Sequence, residues 1–168
     1  MATNNLIQRL PMKDETLTTT GESHRRVVEQ FIATEAIADR EWVQFATGKT
    51  GPEATIYVSK AAHAADGGNP LVVGVYIANK AGVAAAANDR INVVTSGYVD
   101  NAVMHTSIAA GKLIAVVSGT GQANGKALVV PDIDTSGSSA KVPTPCGVTL
   151  KASGSDLFAD CIVLPRFA

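Results

Sequence analysis

Three histidines, two cysteines and a few closely spaced aspartates are the residues of this 168-residue chain with which acid–base, nucleophilic or metal chemistry could begin. A catalytic histidine works beside a nucleophile or an orienting carboxylate, and a zinc helix presents His-Glu-x-x-His. His24 stands in a polar stretch, His63 within Ala61-Ala62-His63-Ala64-Ala65, and His105 just after Val103-Met104. None sits in either pattern or beside a Gly-x-Ser-x-Gly turn. Cys146 and Cys161 are too few for a disulfide framework and lack the further Cys or His ligands of a zinc site, so they read as small buried hydrophobes. Asp132 and Asp134 flank Ile133, and Asp156 and Asp160 bracket another loop. A calcium site takes three or more such ligands with a glycine at the bend, so both pairs read as solvated loop carboxylates.

The glycine-rich stretch Ser118-Gly119-Thr120-Gly121-Gln122-Ala123-Asn124-Gly125 follows an apolar run, as a phosphate loop would. Its third glycine comes one position late for Gly-x-Gly-x-x-Gly, and no Gly-Lys-Ser/Thr follows. The next residues, Lys126-Ala127-Leu128-Val129-Val130, return to strand character where a phosphate site needs a helix N-terminus. The expectation is a hairpin turn. The residues therefore predict no catalytic group, no cofactor and no metal site, hence a chain that is not an enzyme.

The elements that would have to position any site are short strands. Hydrophobic residues make up 46% of the chain but aromatic ones only 5%, so the core is built from Val, Ile, Leu and Ala. With 15 glycines and many Thr and Ser, this composition favours strands joined by tight turns. Apolar runs bounded by turn residues predict strands at 27–33, 42–46, 54–60, 71–77, 90–95, 113–118, 127–130, 146–151 and 161–164. Leu71-Val72-Val73-Gly74-Val75 is continuously apolar, as in a strand buried on both faces. Helix is scarce: residues 80–89 hold an alanine run but only one larger apolar residue, Val83, and fit a loop or a single turn. The fold class expected is all-β, a small sandwich or barrel.

Residues 1–26 differ from this 27–168 body. They are polar and mixed in charge, and predict an extended N-terminal arm whose few apolar residues lie near its start. Leu6, Ile7, Leu10 and Met12, with Arg9 among them, are the candidate partner contacts. Fully extended, such an arm reaches at most about 85 Å.

The body repeats one plan. Glu35-Ala36-Ile37-Ala38-Asp39-Arg40-Glu41-Trp42-Val43 leads into one strand, and Thr106-Ser107-Ile108-Ala109-Ala110-Gly111-Lys112-Leu113-Ile114 into another. Later come Gly74-Val75-Tyr76-Ile77-Ala78 and Gly147-Val148-Thr149-Leu150-Lys151, then the closing runs Ile91-Asn92-Val93-Val94 and Cys161-Ile162-Val163-Leu164. If the repeat is real, Gly74 and Gly147 occupy equivalent places.

Charge narrows the partners. The net charge is −1, with six basic and seven acidic groups in residues 1–50 and eight of each in the remainder, so no basic surplus points to nucleic acid. No apolar run approaches the roughly 20 residues that span a bilayer, and the N-terminal stretch lacks the apolar core of a secretory signal. The expectation is a protein made in a cytosol, with neither nucleic acid nor membrane as partner.

Three stretches carry a family resemblance: Gly68-Asn69-Pro70-Leu71-Val72-Val73-Gly74-Val75, Asn92-Val93-Val94-Thr95-Ser96-Gly97-Tyr98-Val99, and Cys161-Ile162-Val163-Leu164-Pro165-Arg166-Phe167. With the turn at Ile108-Ala109-Ala110-Gly111-Lys112-Leu113, they resemble the small decoration, or cement, proteins on the outside of tailed-bacteriophage heads. The resemblance implies a sandwich or barrel that trimerises and clamps neighbouring subunits of the major capsid protein. It also implies assembly in the host bacterial cytoplasm and a place on the outer capsid surface of the virion. The long arm departs from the most compact members of that group. Two alternatives stay open: a head-fibre, tail or baseplate accessory, and a small ligand-binding barrel or enzyme.

Overall fold

The computed structural model of the chain describes residues 26–63, 68–80, 82–117, 124–129 and 144–165. Residues 1–25 of the expected arm, with Leu6, Ile7, Arg9, Leu10, Met12 and His24, lie outside the described residues, as do most of the glycine-rich turn and Asp132 and Asp134, whereas Arg26 already belongs to the first strand.

Among the described residues nine strands form, in the order the apolar runs predict. They are β1 (Arg26–Ala33), β2 (Trp42–Phe45), β3 (Tyr57–Lys60), β4 (Val72–Ile77), β5 (Arg90–Val103), β6 (Leu113–Ala115), β7 (Leu128–Val129), β8 (Gly147–Thr149) and β9 (Phe158–Val163). A short 3₁₀ helix, Gly51–Thr55, opens with Pro52 near its start, so β3 begins three residues later than expected. β5 runs eight residues beyond its expected end, because Gly97, with φ +98°, lets the strand bend and continue. Over 80–89 the described residues form turns, with Ala85 bridged to Ile37.

The strands make one mixed sheet that closes on itself. β1 pairs parallel with β3, then β3 with β2, β2 with β4, β4 with β5, and β5 back with β1, all antiparallel. This five-stranded ring, barrel 1, encloses Phe31, Ala33, Ile37, Val43, Val58, Val73, Tyr76, Ala85, Ile91 and Val93. Beyond Gly97, β5 enters a second ring, barrel 2. It pairs with β9, β9 with β8, β8 with β6, and β6 with β7, and a parallel bridge from Met104 to Ala127 closes the circuit.

The two rings are copies. Ile32↔Arg90 and Phe31↔Ile91 in the first match Val103↔Phe158 and Ala102↔Ala159 in the second. The parallel pairing Ala33↔Val58 matches Met104↔Ala127, and Tyr76↔Val93 matches Thr149↔Cys161. Arg40 N–H donates to the Tyr76 carbonyl as Gly111 N–H donates to that of Thr149, and both Arg40 and Gly111 have positive φ. One correction concerns the closing strands. The counterpart of Cys161 is Val93, not Ile91, a shift of two residues that keeps the same face inward because strand side chains alternate with period two.

Gly74 and Gly147 are equivalent. Gly74 faces Val43 on β2, and a Cβ there would run into the carbonyl oxygen of Val94. Gly147 faces Ile114 on β6, and a Cβ would lie 2.8 Å from the carbonyl oxygen of Ile162. Each lets a middle strand press against the strand that closes its ring.

Candidate docking surface

Of the described candidates for chemistry, Cys146 and Cys161 come together, but no third His, Cys, Asp or Glu joins them in a metal-binding group. No group of three or more His, Cys, Asp or Glu that could hold a metal exists among the described residues. His63 and His105 lie on separate connecting segments, the second beside β7 through its N–H to Ala127. Cys146 and Cys161 are both buried inside barrel 2 and form no disulfide, and the Cys146 thiol donates to the Ile114 carbonyl at 3.4 Å. Burial, with Cys146 nearby, pushes the Cys161 thiol far above its ordinary range, which leaves it a poor nucleophile. Asp160 accepts from the Asn101 N–H at 3.2 Å, across the bulge where β5 meets β9.

The inward polar side chains hold backbone in place. Glu41 accepts from the Ala38 N–H at 2.8 Å and lies 3.4 Å from the Lys60 ammonium. Gln44 and Asn69 are bonded to one another and to the Ala62 backbone, pinning the segment before β4. Thr149 donates to the Ala109 carbonyl at 2.8 Å, and Ser153 accepts from the Ile108 N–H at 2.7 Å. These groups tie loops to rings, as buried polar atoms must when removed from water.

A cleft of about 260 Å³ opens at one mouth of barrel 1, lined by Tyr76, Asn79, Lys80, Val83, Asp89 and Arg90 among others. It exists because the loop from Tyr76 to Ala85 is longer than its counterpart from Thr149 to Ser153. The Tyr76 hydroxyl reaches the Val83 carbonyl at 3.4 Å. Burial, then the Asp39 and Asp89 charges, raise its pKa above the ordinary phenol value.

The most distinctive surface feature lies on barrel 2. Register pairs Leu113 with Val148, Val148 with Ile162, and Ile162 with Tyr98. These four side chains form one cross-strand row over β6, β8, β9 and β5. Alternation along β9 shows which way the row points: Ala159, Cys161 and Val163 are buried, whereas Phe158 and Ile162 face out. Leu113 is 47% exposed and Ile162 38%, with Leu150 and Phe158 also exposed nearby. Burial, with Asp160 and Asp100 beside it, raises the Tyr98 phenol. Neighbouring exposed apolar side chains of this kind are the surface feature at which protein, membrane or ligand contacts form.

Barrel 1 carries the same row, covered. Trp42 pairs with Val75, Val75 with Val94, and Val94 with Val28. Trp42, Val75 and Val94 are fully buried in the cluster shared with barrel 2. The Trp42 indole donates to the Val103 carbonyl at 3.2 Å, and its ring edge lies against Gly147. The Arg40 guanidinium grips the Asp100 carboxylate with both nitrogens, at 3.0 and 3.1 Å, across the same junction. The sequence repeat already aligned Trp42 with Leu113 and Val75 with Val148. That barrel 2 would cover one row and leave the other open required the three-dimensional arrangement.

No family model matches the chain, and no curated relative matches it. Among solved structures, the head fiber gp8.5 N base of bacteriophage phi29 is similar over 83% of this chain and 94% of that chain. The identity is 13% and the TM-score 0.48.

Proposed function

We propose that this chain is a non-catalytic structural subunit of a phage head, carried on the outer capsid surface of the virion as a decoration protein. The observation that supports a protein-binding role is the outward row Leu113, Val148, Ile162 and Tyr98 on barrel 2, with Leu113 and Ile162 exposed and Val148 and Tyr98 half-buried. The capsid as partner is supported by the sequence resemblance to cement proteins. In this reading the body clamps subunits of the major capsid protein, and Leu6, Ile7, Arg9, Leu10 and Met12 of the arm anchor it. Several equivalent contacts make the attachment strong through avidity, so each can be modest.

The test mixes purified chain with expanded heads lacking it. Saturable, stoichiometric binding is expected, and absence of binding to any mature head overturns the proposal. Deleting residues 1–20 should weaken attachment at least about tenfold while the body keeps its unfolding curve; an anchoring segment worth about 1.4 kcal/mol suffices for that change. Electron microscopy of the decorated particle separates the readings. Density clamped over capsid subunits supports decoration, whereas density at the foot of a projecting fibre moves the assignment to a head fibre.

A further inference from the structure

The exposed row on barrel 2 has a counterpart whose covering is visible, and that counterpart identifies what fits it. We infer that the row Leu113–Val148–Ile162 docks barrel 1 of a second copy of this chain, head to tail, as barrel 2 docks the row Trp42–Val75–Val94 within one chain.

The two rows occupy the same places on equivalent strands: Trp42↔Val75↔Val94 on β2, β4 and β5, and Leu113↔Val148↔Ile162 on β6, β8 and β9. Beside the first row, barrel 2 meets barrel 1 through residues whose positions are known. Gly125 carbonyl accepts the Trp42 N–H at 2.9 Å, and Gly125 N–H donates to the Ala61 carbonyl at 2.9 Å. The Thr144 carbonyl lies 3.0 Å from where a Gly68 Cβ would sit. These two junction residues also have counterparts. Gly125 stands two residues before Ala127, as Ile56 stands two before Val58. Thr144 stands three before Gly147, as Leu71 stands three before Gly74.

Ile56 is 42% exposed and Leu71 40%. So the chain exposes aliphatic side chains at both halves of the junction it makes internally: the receiving row on barrel 2 and the covering positions on barrel 1. Such an interface is heterologous, one patch meeting a different patch, and a copy added at one end leaves both patch types open at the ends of the pair. Copies then continue into a ring or a filament, according to the rotation between neighbours. Area that is apolar on both sides and buried together is the favourable term for association.

Sedimentation velocity of the purified full-length chain over a wide concentration range tests this without any capsid. The expected result is a mass that rises with concentration, or a closed ring. Ile162→Lys on the row and Ile56→Lys on the opposite face should each weaken association at least about tenfold, as charges at an apolar contact do. Both sites are exposed, and matching circular dichroism and unfolding curves would show that the folds are intact; Leu113→Asp and Leu71→Asp repeat the test should either variant misfold. The decisive arm mixes the two variants. Each keeps the half that the other lacks, so an equimolar mixture should form a one-to-one dimer and stop there. A wild-type chain that stays monomeric overturns the inference. So does an Ile56→Lys chain that still dimerises, which is the signature of row against row. A row variant that loses only capsid binding, with the wild type monomeric in solution, assigns the row to the capsid and likewise overturns it.

Discussion

Barrel 1 and barrel 2 share strand pairings, inward positions and turn geometry, yet the same cross-strand row is core in one and surface in the other. Trp42 is fully buried, whereas its counterpart Leu113 is 47% exposed. Barrel 2 covers the outward row of barrel 1, whereas among the described residues the matching row of barrel 2 keeps Leu113 and Ile162 exposed. That difference explains the residue types. The covered row uses Trp42, whose indole finds the Val103 carbonyl, because a large amphipathic ring fills the junction and keeps its N–H bonded. The open row uses aliphatic Leu113, Val148 and Ile162, with the phenol of Tyr98 at its end.

The comparison breaks first at the glycines. At Gly74 the added Cβ meets the Val94 carbonyl oxygen, and two backbone segments must separate. Gly74→Ala should therefore cost about 4 kcal/mol or more. At Gly147 the equivalent approach is 2.8 Å, with the flexible Ile114 side chain and the Trp42 ring next nearest. Gly147→Ala should cost about 2 kcal/mol. Urea unfolding measures both; equal losses would show that the rings are packed to the same tightness at that point.

The rows provide the next contrast. Trp42→Ala empties the junction and should cost about 3–4 kcal/mol. Leu113→Ala at the matching place should change stability of the monomer by no more than about 0.5 kcal/mol. A large loss at Leu113 would mean that the row is already covered. A smaller effect belongs to the junction clamp. Arg40 stands where barrel 2 has Gly111, both with positive φ, so Arg40→Gly keeps the turn and removes only the side chain. The Asp100 partner is partly solvated, and about 1 kcal/mol is expected. Asp100→Asn in the Arg40→Gly background should add almost nothing, which a double-mutant cycle reads directly.

The strand count and order, the all-β class and the equivalence of Gly74 and Gly147 were legible in the sequence, because turn residues and aliphatic runs punctuate the chain sharply. Three things were not. The passage of β5 through Gly97 into a second ring hides in a run, Thr95-Ser96-Gly97, that reads as a turn. Closure into barrels depends on pairings of residues far apart in sequence, Ile32 with Tyr57 and Met104 with Ala127, for which no local pattern exists. The docking row was half legible. The repeat aligns Leu113 with Trp42 and Val148 with Val75 but sets Ile162 against Asn92 instead of Val94, and alternation reports only that a side chain points away from the ring interior, not whether a second layer lies beyond it. The two-residue misalignment of the closing strands has a similar origin, since a shift by one full period preserves every inward and outward assignment.

The finest contrast between the barrels lies in their interiors, at Val93 and its counterpart Cys161. Both are fully buried, and both face the same point on the preceding strand, Tyr76 in one case and Thr149 in the other. Cys161→Val gives barrel 2 the residue that barrel 1 uses, with similar volume, and should change stability near neutral pH by less than about 1 kcal/mol. At high pH the two chains should part. Burial, then the neighbouring Cys146, keeps the folded Cys161 protonated well past the ordinary thiol pKa of 9.0, whereas the unfolded chain releases that proton. The unfolded state then binds fewer protons, so the contribution is complete below about pH 9 and is lost as pH rises above it. By pH 10 the wild type should have lost about 1 kcal/mol more than Cys161→Val, from the one-unit interval in which only the unfolded thiol ionises. Tyr76 and Tyr98, also raised, contribute only above the ordinary phenol value of 10.0, so they do not blur that window. Unfolding midpoints of the two chains at half-unit pH steps give the comparison, and parallel curves up to pH 10 would place the thiol in contact with water rather than inside the ring.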